Sequence, residues 1–151
     1  MDKTCQWLLE REEFQSWISE PESSLLWING IPGSGKSFLA GFTVQHLRQR
    51  HSRVLHYFCN ERYEETRLTV KTLSCLLYQM LLLDDKLLNV LAPFHDKATQ
   101  KRLNCLETAR EMFKASLTAF KPAFVVIDAL DECVDRKNLV QILGNVSDIV
   151  P

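Results

Sequence analysis

Gly30-Ile31-Pro32-Gly33-Ser34-Gly35-Lys36-Ser37 follows the pattern G-x-x-x-x-G-K-S, which is the pattern of a phosphate-binding P-loop. The run Leu25-Leu26-Trp27-Ile28-Asn29 stands directly before it, and such a short apolar stretch is typical of a buried parallel strand. A helical pattern of apolar residues begins after the loop and continues through Val44 and Leu47. A strand, a glycine-rich loop and a helix in this order are the context that the pattern needs, so the sequence predicts a phosphate site here.

The residue types in the loop suit the binding of a polyphosphate. Gly33 and Gly35 can adopt the positive φ angles that let successive backbone N–H groups converge on phosphate oxygens. The N-terminus of the following helix adds about half a positive charge. Lys36 is predicted to reach the β- and γ-phosphates, and the hydroxyl of Ser37 is predicted to bind Mg²⁺. We therefore expect all eight residues of the pattern to line a nucleotide site.

The composition of the chain is typical of a soluble globular domain. Its 151 residues are 46% hydrophobic and 25% charged, which suits one domain with its own core. A formal net charge of -1 predicts no general affinity for nucleic acid or for an anionic membrane. No apolar run approaches the roughly 18 residues of a membrane span, and the N-terminus has no apolar core of a signal peptide. We therefore expect a cytoplasmic protein, in the cytosol or the nucleus.

Five cysteines are scattered along the chain: Cys5, Cys59, Cys75, Cys105 and Cys133. Their number is odd and none of them stand at C-x-x-C spacing, which argues against a disulfide framework and against a zinc site. Small buried thiols in a reducing compartment are the favoured interpretation. His56 has no partner at ligand spacing, so we expect a packed or edge histidine there rather than a metal ligand.

Helical and strand-like patterns alternate along the chain. The pattern of residues 1–22 predicts an amphipathic helix over residues 5–19, followed by a turn. We expect the core of the domain to occupy residues 23–151 and to be truncated at its C-terminal side. Strands are predicted at residues 25–29, 54–59 and 123–127, and helices at residues 38–51, 70–81, 87–91 with an interruption at Pro93, 106–117 and 139–146. We interpret this as an α/β fold of three layers, with helices on both faces of a parallel sheet and a ligand at the carboxyl ends of the strands. Three strands are fewer than the about five of an ordinary P-loop domain, so we expect an incomplete domain.

A second polar segment, Asp128-Ala129-Leu130-Asp131-Glu132, follows the last predicted strand. Asp128, at the carboxyl end of that strand, can face the same crevice as Ser37 and hold Mg²⁺ through water, because this ion takes oxygen ligands. Glu132 is the preferred general base for an attacking water, and Asp131 is either a second partner of the metal or the base itself. Acids in such a position can instead cap a following helix.

Four segments together make the chain resemble the N-terminal part of a NACHT domain, the nucleotide switch of STAND-class P-loop NTPases, in the form found in fungal NLR-like proteins. They are Thr4-Cys5-Gln6-Trp7-Leu8-Leu9 with Phe14 and Trp17, residues 26–37, Tyr57-Phe58-Cys59, and Ile127-Asp128-Ala129-Leu130-Asp131-Glu132-Cys133. The resemblance implies binding of ATP or ADP together with Mg²⁺, with GTP as an alternative. It also implies a signalling switch in self or non-self recognition, cell death or innate immunity, with slow or absent hydrolysis and with protein partners gained when the parent protein oligomerises.

The resemblance further implies that part of the domain lies outside this sequence. In the family, the strand that follows the Asp128 strand lies between that strand and the P-loop strand, and no run after Asp128 is strand-like here. Without it, the two strands should pair directly or leave their backbone groups to water. Two interpretations stay open: a segment of a larger Mg²⁺-dependent NTPase switch, or a non-catalytic binding or decoy module that pairs with a full-length relative. Both interpretations leave open whether this chain hydrolyses the nucleotide.

Overall fold

Helices and strands alternate in the computed structural model of the chain, which describes residues 4–22, 24–60, 68–95, 105–120 and 123–144. The α-helices are α1 Gln6–Leu9, α2 Glu12–Ser19, α3 Lys36–Arg48, α4 Thr69–Leu83, α5 Leu87–His95, α6 Leu106–Phe120 and α7 Arg136–Gly144. The strands are β1 Val54–Phe58 and β2 Phe124–Asp128, and a 3-10 helix follows β2 at Leu130–Glu132. No helix within the described ranges is both long enough and apolar enough to cross a bilayer.

β1 and β2 form a parallel sheet. Val54 pairs with Phe124 at one end of the register, and Phe58 pairs with Asp128 at the other. Parallel neighbours need a long crossover connection, and α4, α5 and α6 lie between the two strands in the sequence. The alternation of patterns therefore produces the predicted combination of helices with a parallel sheet.

Helices pack on both faces of this sheet. On one face a cluster of buried side chains, with Leu55 and Phe113 among its members, joins β1 to α4, α5, α6 and α7. On the other face Val44 and Leu47 of α3 pack against Val54. Neighbouring residues of a strand point to opposite faces, which is why consecutive apolar residues in β1 contribute to two separate clusters.

The predicted strand at residues 25–29 is wrong. Residues 24–30 form no regular secondary structure, and the sheet within the described residues has two strands rather than three. Leu25, Trp27 and Ile28 are 57%, 58% and 41% exposed, whereas Leu26 packs against a buried cluster. An apolar run becomes a strand where a neighbouring strand pairs with its backbone, and the described part of the chain places no such neighbour beside this run. Two outcomes were expected in the absence of a middle strand: direct pairing of this run with β2, or backbone groups left to water. The run does not pair with β2.

The single helix predicted over residues 5–19 is divided into α1 and α2. Glu10 ends α1, and Arg11 takes an extended conformation with ψ 130° before α2 begins. The division lets Leu8 of α1 and Phe14 of α2 reach one buried cluster, which they share with Leu39 of α3. Packing against α3 therefore overrides a continuous helical pattern.

Other element boundaries differ from the prediction by a few residues. α3 ends at Arg48 rather than near residue 51, and α5 contains Pro93 and continues to His95. A proline removes one helical hydrogen bond, but α5 ends two residues later, so the loss falls in its last turn. β2 extends one residue beyond the prediction because the N–H of Cys59 donates to the carbonyl of Asp128 at 3.1 Å.

Side chains close the outer edge of β1. The carboxamide of Gln79 on α4 accepts a hydrogen bond from the N–H of His56 at 3.0 Å and donates one to the carbonyl of His56 at 2.8 Å. The guanidinium of Arg48 donates to the carbonyl of Val54 at 3.5 Å and to Nδ1 of His56 at 3.1 Å. These contacts replace the bonds of a neighbouring strand, so the edge of β1 is protected from pairing with another strand.

Gln79→Ala is expected to lower the free energy of unfolding by about 1–3 kcal/mol, because the half-buried N–H and C=O of His56 both lose their partner. Gln45→Ala, on an exposed position of α3, is the matched control and should change the free energy by less than about 0.5 kcal/mol. Urea denaturation followed by circular dichroism measures both. A loss no larger in Gln79→Ala than in Gln45→Ala would contradict the closing of the edge by this side chain.

The stability of the fold is expected to fall in mild acid because of His56. Burial, and then the charge of Arg48, lower the pKa of His56 from its ordinary 6.5, while a hydrogen bond with the Gln79 side chain acts in the opposite direction. On acidification the unfolded chain takes up a proton at the ordinary pKa and the folded chain only at a lower pH, so the free energy of unfolding decreases below about pH 6.5. His56→Asn should reduce this loss when unfolding is measured at pH 7 and in mild acid. An unchanged pH dependence in the variant would contradict the assignment.

Candidate phosphate-binding site

The glycine-rich loop adopts backbone angles that suit phosphate binding. Gly33 and Gly35 have φ angles of 77° and 86°, in the left-handed region that favours glycine. Among the described residues, and leaving aside the chain neighbours of each glycine, no atom lies within 4 Å of the place where a Cβ would stand on either residue. The N–H of Ser34 donates to the carbonyl of Ile31 at 3.2 Å and closes the turn. The loop is therefore an exposed turn whose backbone a ligand can approach closely.

The first glycine of the pattern, Gly30, lies close to the side chain of Ser34. A Cβ on Gly30 would stand 2.9 Å from Oγ of Ser34, which is closer than ordinary contacts allow. A side chain at this position would therefore displace the hydroxyl of Ser34.

Lys36 bends back across the loop. Its ammonium donates hydrogen bonds to the carbonyl of Gly30 at 2.9 Å and to the carbonyl of Ile31 at 3.1 Å. An ammonium has three donors, so one of them is left for a ligand. A positive charge is thus held at the loop by two hydrogen bonds to its backbone.

The N-terminus of α3 begins at Lys36 and has no side-chain cap. Gly35 precedes the helix, and the N–H of Leu39 donates to the Gly35 carbonyl at 2.9 Å as the first helical bond. The N–H groups of Lys36, Ser37 and Phe38 precede that bond and cannot find a partner within the helix. Ser37 is also exposed. The helix dipole and these donors favour an anion at this end of α3.

Asp128 is buried at the carboxyl end of β2, with 8% of its surface exposed. Ala129 then turns the chain with a φ of 53°, and the 3-10 helix that follows carries Asp131 and Glu132. Asp131 is exposed and Glu132 is half-buried. The three acids of the predicted site therefore lie on one short turn at the end of the sheet, which we call the acidic turn, Asp128 to Glu132.

The first turn of α3 and the acidic turn lie toward the same end of the sheet. Val44 and Leu47 stand in the C-terminal half of α3 and pack against Val54, the first residue of β1. Because α3 leads into β1 through a short connection, the helix runs back along the sheet, and its 13 residues span about 20 Å. The N-terminus of α3, with Ser37, therefore lies toward the carboxyl ends of the strands, where Asp128 ends β2.

The oxygen donors at this end suit Mg²⁺ better than a softer metal. Ser37 offers a hydroxyl and Asp128 a carboxylate, and hard oxygens are the ligands that this ion prefers. Within the described ranges, no three His, Cys, Asp or Glu side chains come together in a group that could hold a metal ion. Mg²⁺ bound with a nucleotide often takes only one or two protein groups, so the donor set fits such an ion. The metal roles of Ser37 and Asp128 stay predictions.

Two cysteines lie in one buried cluster beside the acidic turn, an arrangement that the sequence analysis missed. All five cysteines are free thiols; Cys5, Cys59 and Cys133 are buried as predicted, whereas the prediction is wrong for Cys105, which is exposed, and Cys75 is only half-buried. Cys59 and Cys133 are both buried members of the main cluster. Burial, followed by the effects of Cys133 and the carboxylates of Glu132 and Asp128, raises the pKa of Cys59 to about 12. The two residues are far apart in the sequence, and the only available signal was that each belongs to a segment of the NACHT resemblance.

Comparison with known proteins identifies the family. The family model described as Nephrocystin 3, N-terminal, matches residues 3–149. The vegetative incompatibility protein HET-E-1 of Podospora anserina is 29% identical over 154 residues, a match that covers 97% of this chain and 11% of that protein, so the chain spans a small part of this relative. No solved structure matches the chain significantly. Both matches support the resemblance to the N-terminal region of a NACHT-family protein. Because the family model spans nearly the whole sequence, the chain belongs to the nephrocystin 3 N-terminal family.

Proposed function

We propose that residues 30–37 bind the phosphates of ATP or ADP together with Mg²⁺, as part of a STAND-type signalling switch in the cytoplasm. The observation that carries the proposal is the position of Lys36, whose ammonium is bonded across the loop that contains the positive-φ glycines. This loop leads into an uncapped helix N-terminus. An open backbone, free N–H donors and a fixed positive charge together favour a polyphosphate over other ligands. The family relation also supports the proposal.

Each group of the proposed site has a distinct role. On binding, the ammonium of Lys36 exchanges loop carbonyls for oxygens of the β- and γ-phosphates, and the backbone N–H groups of the loop hold the remaining oxygens. Ser37 and Asp128 hold Mg²⁺, which neutralises charge on the phosphates when it is bound. Glu132 accepts a proton from water as the general base, and Asp131 either supports the metal or takes over as the base.

In this proposal the bound nucleotide controls the conformation of the protein and is not consumed as an energy source. Hydrolysis is slow or absent, and exchange of diphosphate for triphosphate releases the parent protein to oligomerise with further copies. The name of the Podospora anserina relative assigns that protein to vegetative incompatibility, and we extend a role in signalling to this chain. GTP is the alternative ligand in this proposal, although this sequence contains no N-K-x-D stretch that would support specificity for guanine.

A non-catalytic module is the second candidate function, and the free edge of β2 favours it. Phe124 and Asp128 form backbone hydrogen bonds with the β1 side, so the alternate residues Val125 and Ile127 direct their backbone groups to the opposite edge. Within the described ranges these two residues have no hydrogen-bond partner at that edge. An open edge of this kind can pair with a strand of another chain, such as a full-length relative.

Calorimetric titration with ATP and ADP, with and without Mg²⁺, tests the proposed function. Asp128→Asn should weaken the Mg²⁺-dependent part of binding about 10- to 100-fold, because a contact with a charged group contributes about 1.5–3 kcal/mol. Asp85→Asn, at an exposed position ahead of α5 and outside the proposed site, is the matched control and should keep the Mg²⁺ dependence.

Two results of this titration would count against the proposed function. An identical Mg²⁺ dependence in wild type and Asp128→Asn would remove Asp128 from the metal site. If the wild-type chain bound neither nucleotide, the switch would be excluded and the non-catalytic module would be favoured.

A further inference from the structure

The run ahead of the glycine-rich loop, residues 24–30, is held at both ends by side chains. The indole N–H of Trp17 donates to the carbonyl of Ser24 at 3.3 Å, and the ammonium of Lys36 donates to the carbonyl of Gly30 at 2.9 Å. Among the described residues, no other backbone group of this run has a hydrogen-bond partner. Two side chains therefore take the place of the backbone bonds that a strand would receive from a sheet.

Trp17 is itself fixed by packing between two buried clusters. It lies on α2 and packs both against the cluster that joins α1, α2 and α3 and against the cluster that joins α3 to β1. Its ring meets the ring of Phe124 edge-on, with centroids 5.3 Å apart, and lies 5.8 Å from the ring of Phe14. Edge-to-face contacts at these distances are favourable for aromatic rings. The indole is therefore a donor whose position depends on α2, α3 and the first residue of β2.

Leu26 attaches the same part of the run to the N-terminal helices. It packs against the buried cluster that contains Leu8 of α1, Phe14 of α2 and Leu39 of α3. Residues 27–30, which follow it, are exposed. The contacts of Ser24 and Leu26 thus both lead to the N-terminal helices, and these helices rather than the sheet fix the start of the run.

The run leads from one end of the sheet toward the other. Trp17 connects Ser24 with Phe124, which begins β2, whereas Gly30 lies beside Lys36, at the end of α3 that lies toward the carboxyl ends of the strands. An extended chain from Ser24 to Gly30 reaches about 20 Å, which is about the length of α3. A run of this length has little slack, so the position of its first residue limits where the loop can lie.

We propose that Trp17 positions the phosphate loop by fixing the start of the run that leads into it. The effect on nucleotide binding rests on the proposed function, whereas the fixing of the run does not. Trp17 is a positioning residue, since it acts through Ser24 and does not touch the ligand. When the ammonium of Lys36 moves to a phosphate, the run loses its bond at Gly30, and Trp17 and Leu26 then keep the loop in place. A loop that is held before the ligand arrives loses less conformational freedom on binding.

NMR relaxation of the backbone amides of the full chain tests the fixing of the run without any ligand. The order parameters of residues 24–26 should be near about 0.85, as in rigid backbone, and should fall below about 0.6 in Trp17→Ala. Trp17→Phe keeps an aromatic ring but lacks the donor, so its values should lie between these two. Trp17→Phe also decides the matter if Trp17→Ala does not fold.

The same two changes at Trp7, an exposed tryptophan on α1, are the matched controls. Both should leave the order parameters of residues 24–26 at their wild-type values. Unchanged order parameters in Trp17→Phe, or an equal decrease in Trp7→Phe, would overturn the proposal.

Calorimetric titration with ATP connects the run to the proposed site. Trp17→Phe should weaken ATP binding about two- to tenfold, the usual effect of one lost hydrogen bond. The factor should be the same with and without Mg²⁺, because the loop is positioned before the metal binds. Gln79→Ala, which disturbs the distant edge of β1, should bind ATP like wild type and so separates positioning from a general loss of stability.

The outcomes of the two experiments distinguish the positioning from the proposed function. If wild type bound no nucleotide, the proposed function would fail while the relaxation experiment still decided the fixing of the run. If wild type bound ATP and Trp17→Phe bound it equally well, the effect of Trp17 on the site would be disproved. A loss of affinity that appeared only with Mg²⁺ would also contradict the positioning of the loop by Trp17.

Discussion

Lys36→Ala is expected to weaken ATP binding about 100-fold or more. The variant removes the ammonium that bonds to the carbonyls of Gly30 and Ile31 and that carries the positive charge of the loop. Hydrogen bonds to charged groups contribute about 1.5–3 kcal/mol each, and the ammonium is assigned more than one bond to phosphate. Calorimetric titration of the full chain with ATP and Mg²⁺ measures the loss directly.

Two further variants show whether the loss comes from the charge of Lys36. Lys36→Met keeps most of the aliphatic stem and should lose as much affinity as Lys36→Ala. Lys86→Ala removes a positive charge at an exposed position ahead of α5 and should bind ATP like wild type. Thermal unfolding of all three shows whether the loop itself is disturbed. Equal binding of ATP by wild type and Lys36→Ala would overturn the assignment of residues 30–37 as the phosphate site.

Phe113→Ala is expected to destabilise the fold by about 3–5 kcal/mol, the usual cost of replacing a buried phenylalanine with alanine. Phe113 lies on α6, is fully buried, and belongs to the cluster that joins the helices of one face to β1. The free energy of unfolding of a domain is typically about 5–15 kcal/mol, so the variant should lose a large part of its stability. Urea denaturation of the purified chain, followed by circular dichroism, measures the change.

Tyr78→Ala is the matched control for this prediction, because Tyr78 is an aromatic residue on an exposed position of α4. It should change the free energy of unfolding by about 0.5 kcal/mol or less. If Phe113→Ala were no more destabilising than Tyr78→Ala, the assignment of Phe113 to the buried cluster as a major contributor to stability would be contradicted.

Local patterns were enough to predict most of the elements. The periodic apolar residues of α4 and α6 predicted both helices, and α6 ends at Phe120, ahead of Pro122, as expected. β1 and β2 were predicted within one residue at each end. These predictions succeed because helical and strand periodicities depend on residues that are close in the sequence and share one buried face.

In the candidate site, too, features that depend on residues close in the sequence could be predicted, whereas contacts between distant segments could not. The positions of Gly33, Gly35 and Lys36 could be predicted because a short turn with positive φ and a helix start depend on neighbouring residues. The shared cluster of Cys59 and Cys133 could not be predicted, because it depends on how β1 and β2 come together. The closing of the β1 edge by Gln79 is also a contact between distant segments.

The run at residues 25–29 and β2 make the difference plain. Both are short apolar runs beside a polar or glycine-rich turn, and both were predicted as parallel strands. β2 is a strand because β1 pairs with it, whereas the run before the loop has no strand beside it among the described residues and stays irregular. The sequence therefore specified the local elements, the loop and the identity of the charged groups. Which apolar run became a strand, and which side chains met across the fold, depended on partners that only the folded chain brings together, because backbone pairing needs a second segment at hydrogen-bond distance.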